Sequence, residues 1–272
     1  MRELIQYGGF ERSILVLATP TGTGWLDPGA VDTLEYLHRG DTAIVAAQYS
    51  HLNSPLALLT EADYGKEMAR ELFNAIHGHW RTLPRDARPR LFLHGLSLGA
   101  FHSDHSFNLF DIMDAPFDGA LWSGPPFRTA TWRNATANRA PDSPAWLPVF
   151  REGTVVRFAT QAGVQSLDSE WGRFRLVFLQ YASDPITFFE PAMLWSKPAW
   201  LREPRAPDVS PNLRWFPVVT GLQVLADMVF GASPSGFGHE IAPEDYLSAW
   251  RALTEPAGWS EAELARLRLL VK

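Results

Sequence analysis

Short runs of consecutive apolar residues alternate along this chain with longer stretches in which apolar positions recur every three or four residues. Apolar runs closed by glycine or proline read as strands buried on both faces, and the 3.6-residue recurrence reads as helix. On that basis Ser13 to Ala18, Thr42 to Gln48 and Leu91 to Leu93 are predicted buried strands. Val31 to His38 and Glu61 to Trp80 are predicted helices between them, the second with Met68, Leu72, Phe73, Ile76 and Trp80 along one face. The Leu83-Pro84 and Arg88-Pro89 breaks end that helix before the next strand. Strand, helix, strand, helix, strand at this spacing predicts the α/β class, with a mostly parallel sheet and helices on both faces. Right-handed crossovers then put all the strand C-terminal ends on one edge.

The alternation resumes further on. Ala100 to Met113 is compatible with helix, Asp118 to Gly124 and Arg175 to Tyr181 with strands, Val218 to Phe230 with a buried helix, and Pro243 to Leu253 and Ser260 to Leu270 with two more helices. Residues 127–172 interrupt it with Pro141, Pro144, Pro148, Trp132, Trp146 and Trp171, and with one candidate strand, Thr154 to Thr160. This segment is expected to be a cap-like insertion over the site or an excursion at the sheet edge. The 272 residues fit one large domain, 1–272, with that insertion inside it.

Candidate chemistry enters where the third strand ends. Gly95-Leu96-Ser97-Leu98-Gly99 is a G-x-S-x-G signature between a strand and a helix-compatible stretch, the context of a nucleophile elbow. Glycines flank the serine there because neighbouring backbone passes too close for a side chain. The rival reading is an ordinary turn rich in small residues, which needs no partners. A nucleophile needs a base and an acid. Asp184 ends the strand 175–181 and is fixed by Pro185, and His239 stands in the glycine-rich loop 231–240. His239 would take the proton of Ser97, and Asp184 would hold the imidazole tautomer and stabilise the imidazolium. Asp168 is the competing acid but follows no convincing strand. His94 lies inside a strand, His102 and His105 lie on a helix leading away from the edge, and His38, His51, His77 and His79 read as solvated residues of helix ends or loops.

The loop Thr19 to Pro28 follows the first strand and is expected to supply one oxyanion-hole N–H, from Thr21, Gly22 or Thr23, with Leu98 supplying the other. It holds no lysine and no P-loop pattern, which argues against a phosphate cradle. Trp25, Phe127, Trp132, Trp146 and Phe237 are candidate substrate-binding residues, expected to overhang Ser97; as large aromatics they are equally suited to the core.

Composition narrows the possibilities. A net charge of −6 without a basic cluster removes support for a nucleic-acid partner. The absence of cysteine removes thiol nucleophiles and thiolate metal sites. His102, Asp104 and His105 lack the i, i+4 spacing of a zinc helix, so no metal and no cofactor is expected. No stretch approaches the length of a membrane span, and the first residues are too short and polar a run for a signal peptide, so a soluble chain is expected.

Thr21-Gly-Thr-Gly-Trp-Leu-Asp-Pro28, Val31-Asp-Thr-Leu-Glu-Tyr-Leu37, Gly40-Asp-Thr-Ala-Ile-Val45, Gly95-x-Ser-x-Gly99, Trp146-Leu-Pro148 and Gly238-His239 together resemble a bacterial α/β-hydrolase family whose catalytic domain lies C-terminal to a membrane-embedded region. The order serine, acid, histidine is likewise that of the α/β-hydrolase fold. The resemblance implies Ser97 as nucleophile, His239 as base and a membrane region in relatives. Leu96, where relatives often carry an acid, and His102 and His105, where they carry small residues, bear on substrate preference. The expected activity is hydrolysis of carboxylic esters, the expected partners being small or lipid-like esters with apolar acyl groups. An acyltransferase using the same three residues, and a non-catalytic binding module of the same fold, are the alternatives.

Overall fold

The computed structural model describes residues 1–50 and 62–271. His51 and Glu61 lie outside the described residues. Seven strands form one sheet in the order β2-β1-β3-β4-β7-β5-β6, with β1 Ile14–Thr19, β2 Thr42–Ala46, β3 Arg90–Leu96, β4 Gly119–Ser123, β5 Val156–Thr160, β6 Gly163–Val164 and β7 Arg175–Leu179. Every pairing is parallel except that of β5 with β6. Alternate residues of the central strands feed two cores, as the pleat demands. Leu15 and Leu17 join Leu91, Leu93, Trp122 and Phe178 on one face, while Ile14 and Val16 join Phe92, Leu121 and Val177 on the other. Such double burial explains why these strands are unbroken apolar runs.

The helices are α1 Arg2–Gln6, α2 Pro28–Leu37, α3 Ala62–Trp80, α4 Leu98–Asp104, α5 Leu109–Asp114, α6 Ala130–Ala137, α7 Pro185–Phe188, α8 Val219–Phe230, α9 Pro243–Thr254 and α10 Glu261–Leu270. Phe73, Ile76 and Trp80 of α3 pack on the first face, and Leu34 of α2 with Tyr246 and Trp250 of α9 pack on the second.

Four expectations need correction, and for part of one segment an open alternative is decided. The stretch 100–113 is two helices, because His105 Nδ1 pairs with Phe101 O at 2.7 Å and Ser106 Oγ bonds Ser103 O at 2.8 Å. Asn108 and Asp111 then form a capping box that starts α5 afresh. Strand β2 is half-buried, since it stands at the sheet edge. Residues 154–164 extend the sheet at its other edge, with β5 registered against β7 and Phe158 stacked on Phe178 at 5.4 Å, so this part of the segment 127–172 is an edge excursion and not a cap. Helix α8 is not buried: Val219, Leu222, Leu225, Val229 and Phe230 are exposed, while Thr220 and Gly221 face inward. His77 is buried, bonded to Ala115 O at 2.8 Å and stacked on Phe73, and not a solvated helix end.

Candidate active site

Strand β3 delivers Ser97 into a backbone conformation, φ 55 and ψ −123, that a non-glycine residue adopts only under constraint. The constraint is visible on both sides. A Cβ on Gly95 would lie 2.4 Å from Gly99 C, and one on Gly99 would lie 2.2 Å from Thr19 O. The chain therefore turns within its own van der Waals radius, and the loop after β1 presses directly on the start of α4. Ser97 N–H donates to Ser123 O at 2.9 Å, which ties the elbow to the end of β4. Leu98 is the first residue of α4, where a backbone N–H has no intrahelical acceptor.

In the loop after β1, Thr21 N–H donates to Trp25 O at 3.1 Å and Gly24 N–H to Thr21 O at 2.9 Å, closing a tight turn. Gln48 Nε2 holds Thr23 O from outside at 3.1 Å. The Thr21 N–H is thus spent within the loop, which narrows the three candidate donors to Gly22 and Thr23.

Asp184 caps α7. Its Oδ1 accepts from Ile186 N–H at 2.8 Å and Thr187 N–H at 3.4 Å, and its Oδ2 accepts from Thr187 Oγ1 at 2.9 Å and from His239 Nδ1 at 2.8 Å. These contacts fix the orientation of a buried side chain. His239 is held from behind: Gly238 N–H donates to Ser183 Oγ at 2.9 Å, and Ser183 N–H in turn donates to Asp208 Oδ2 at 2.9 Å. Burial lowers the His239 pKa, but the Asp184 charge and hydrogen bond, with Glu240 nearby, outweigh it and raise it above the ordinary histidine value. Its Nε2 is buried and has no hydrogen-bond partner. The ring lies against Gly124, where a Cβ would be 2.7 Å from His239 Cε1, and Gly124 follows the residue that accepts from Ser97 N–H.

Ser97 at the end of β3 and the Asp184–His239 pair after β7 therefore stand on the same C-terminal edge of the sheet, with Gly124 at the end of β4 against the imidazole. Asp168 is exposed on the loop after β6. His94 is buried against Leu121 O at 2.9 Å. Asp104 is bonded to Thr131, and His105 to Phe101 O, so neither is poised as a metal ligand. Among the described residues no three histidine, aspartate or glutamate side chains group as a metal site. Nor is any helix among them long and apolar enough to cross a membrane.

The candidate substrate-binding residues do not share one wall, which corrects their expected convergence over Ser97. Trp25 is 48% exposed on the turn after β1. Phe127 and Trp132 line a cavity bordered by Thr187, and Trp132 Nε1 donates to Gln180 Oε1 at 2.6 Å. Trp146 donates to Pro204 O at 2.8 Å and packs on the core. Phe237 borders a smaller cavity of ≈ 220 Å³ beside Asp184. Sequence reasoning missed Gly124, Thr187 and Ser183. The signals were present as a glycine at the end of β4, a threonine three residues after the acid, and a serine just before it.

A doubly covered parallel sheet with a strained serine at the end of one strand and an Asp–His pair on the same edge defines an α/β-hydrolase. The family described as "Alpha/beta-hydrolase family" matches residues 1–267, and the chain belongs to it. No curated protein matches. Among solved structures, an iodinated complex of acetyl xylan esterase is 13% identical with a TM-score of 0.36, covering 64% of this chain and 84% of that one. A Trichoderma reesei cutinase in complex with a C11Y4 phosphonate inhibitor is 14% identical with a TM-score of 0.36, covering 68% and 71%. A putative hydrolase of the alpha/beta superfamily from Xanthomonas campestris pv. campestris is 10% identical with a TM-score of 0.29, covering 88% and 96%. Likenesses this loose carry no argument about activity.

Proposed function

We propose that the protein is a serine hydrolase that cleaves carboxylic esters through an acyl-enzyme, with Ser97 as nucleophile, His239 as base and Asp184 as the acid that orients it. The observation that carries this reading is the 2.8 Å His239–Asp184 pair, which leaves Nε2 unpartnered beside the strained elbow that presents Ser97. Ser97 Oγ attacks the carbonyl carbon while its proton passes to His239 Nε2. The negative charge gathering on the carbonyl oxygen is met by Leu98 N–H and by Gly22 or Thr23 N–H. The same Nε2 proton then leaves with the alcohol, and water repeats the sequence on the acyl-enzyme. The imidazolium formed at each step is stabilised by Asp184, the cause of the raised His239 pKa.

A fluorophosphonate, which phosphonylates activated serines, tests the nucleophile directly. Labelling confined to the peptide that carries Ser97, and lost in Ser97→Ala, is the expected result. A wild-type protein that is folded but unlabelled would overturn the reading and leave a non-catalytic binding module.

A further inference from the structure

We propose that a cavity of ≈ 400 Å³ behind the acid-bearing turn binds a carboxylate that carries an apolar chain. Neither Ser97 nor His239 lines this cavity, so it is distinct from the reaction centre. Its size falls within the range of small-molecule sites. The walls are aromatic and preformed. Trp132 packs edge-on against Phe188 at 5.8 Å, Phe127 against Phe189 at 5.2 Å, and Phe188 lies 6.2 Å from Trp200. Because the Trp132 N–H is already taken by Gln180, this ring contributes apolar surface alone.

The charges around the cavity select the head group. Arg128, Arg133 and Arg139 border it, against one carboxylate, Glu190. Arg139 is spent on the carbonyls of Thr136 at 2.9 Å and Ser143 at 3.1 Å. Arg128 and Arg133 are exposed and have no ion-pair partner among the described residues. Three guanidiniums to one carboxylate, on a chain whose net charge is −6, make an anion-attracting mouth over an apolar interior. A carboxylate on an apolar chain satisfies both parts, whereas an alcohol satisfies one and a cation is repelled.

Thr187 borders the cavity and donates to Asp184 Oδ2, so the site stands one side chain from the candidate acid. An ester hydrolase releases a carboxylate of this class. Identifying the ligand with its product rests on the function proposed above; binding itself does not.

Calorimetric titration of octanoate, 1-octanol and octyltrimethylammonium into the Ser97→Ala protein separates the two questions. Octanoate should bind saturably, with the alcohol about tenfold weaker, as expected for loss of a charge-assisted contact, and the ammonium not at all. Combining Arg128→Gln with Arg133→Gln should lower octanoate affinity roughly tenfold and leave the alcohol unchanged. Ala137→Trp, on the exposed end of α6 that borders the cavity, should weaken both. The proposal is overturned by absence of saturable octanoate binding or by equal affinity for the alcohol. Octanoate binding untouched by both variants would overturn it too, because the ligand would then lie outside this cavity. Failure of fluorophosphonate labelling with octanoate binding intact would sink the hydrolase reading alone.

Discussion

Around Ser97 the backbone has no latitude: Gly95 and Gly99 leave less than 2.5 Å to the nearest backbone atom for any added carbon. Between Asp184 and His239 the chain is held differently, by 3-10 turns, a mostly exposed apolar helix and single hydrogen bonds such as that from Gly238 to Ser183. The first region is fixed by steric exclusion, which leaves no room for a side chain at Gly95 or Gly99. The second is fixed by a few polar contacts, each of which can be removed alone. The contrast teaches where a function built on both should fail abruptly and where it should fail by degrees.

The largest effect expected is at the proposed nucleophile and the proposed acid, one in each region. Ser97→Ala should lower turnover by about 10⁶, and Asp184→Asn by about 10⁴, as in serine hydrolases whose acid is replaced. Asp168→Asn should leave esterase activity within about twofold of wild type, as expected of an exposed residue remote from the site. Assays with p-nitrophenyl butyrate would expose an error: an Asp168 variant as impaired as the Asp184 variant would mean that the acid is misassigned.

Stability should divide the regions next. Gly99→Ala must push Thr19 O or the start of α4 aside, and a loss on the order of 3 kcal/mol is expected, as for other cases of backbone overpacking. Gly78→Ala meets nothing within 4 Å on helix α3 and should stabilise by about 0.5 kcal/mol. Denaturant midpoints for the pair check this, and a Gly99→Ala protein as stable as wild type would contradict the crowding at the elbow.

Acid should also weaken the elements that form the elbow. Burial lowers the pKa values of His94 and His102 to about 4, in His102 helped by His105 and Lys66. These groups gain protons in the unfolded chain near pH 6.5 but in the native chain only near 4. Their contribution is therefore complete above the unfolded value and is lost as pH falls from 6.5 towards 4. His239 has the opposite shift. Its raised pKa means that the acid limb of kcat/KM should lie above the ordinary histidine value, because only the neutral imidazole accepts a proton. Asp184→Asn removes the charge that raises it and should move that limb downward. An unmoved limb would show that another group titrates.

The elbow was legible in the sequence because its signal is local: a strand, two glycines and a serine within eleven residues suffice to specify the turn. The pairing of Asp184 with His239 was legible because chain order and strand ends point to both residues without knowledge of packing. The aromatic wall was not. Whether Trp132 faces a substrate or the core depends on Gln180, forty-eight residues away, accepting its N–H. Whether α8 is buried depends on what covers its second apolar face, which periodicity cannot report; its sequence is apolar on nearly all sides. The edge placement of β5 is of the same kind, since a strand's period is silent about its neighbours in the sheet.

The smallest effect, and the sharpest test of the contrast, is acyl length. Had the aromatic residues closed over Ser97, each acyl methylene would gain roughly 0.8 kcal/mol, and two would raise kcat/KM about tenfold. Trp132 and Trp146 are instead tied to Gln180 and Pro204, Phe127 borders the cavity behind the acid, Phe237 borders the one beside it, and Trp25 stands half in solvent. The p-nitrophenyl acetate, butyrate, hexanoate and octanoate series should accordingly vary by less than about threefold per two methylenes, the partial gain of chains lying on open surface. A tenfold rise at each step would mean that these rings gather over Ser97 when an ester binds, and that the region from Asp184 to His239 shapes the substrate site as firmly as the elbow shapes the nucleophile.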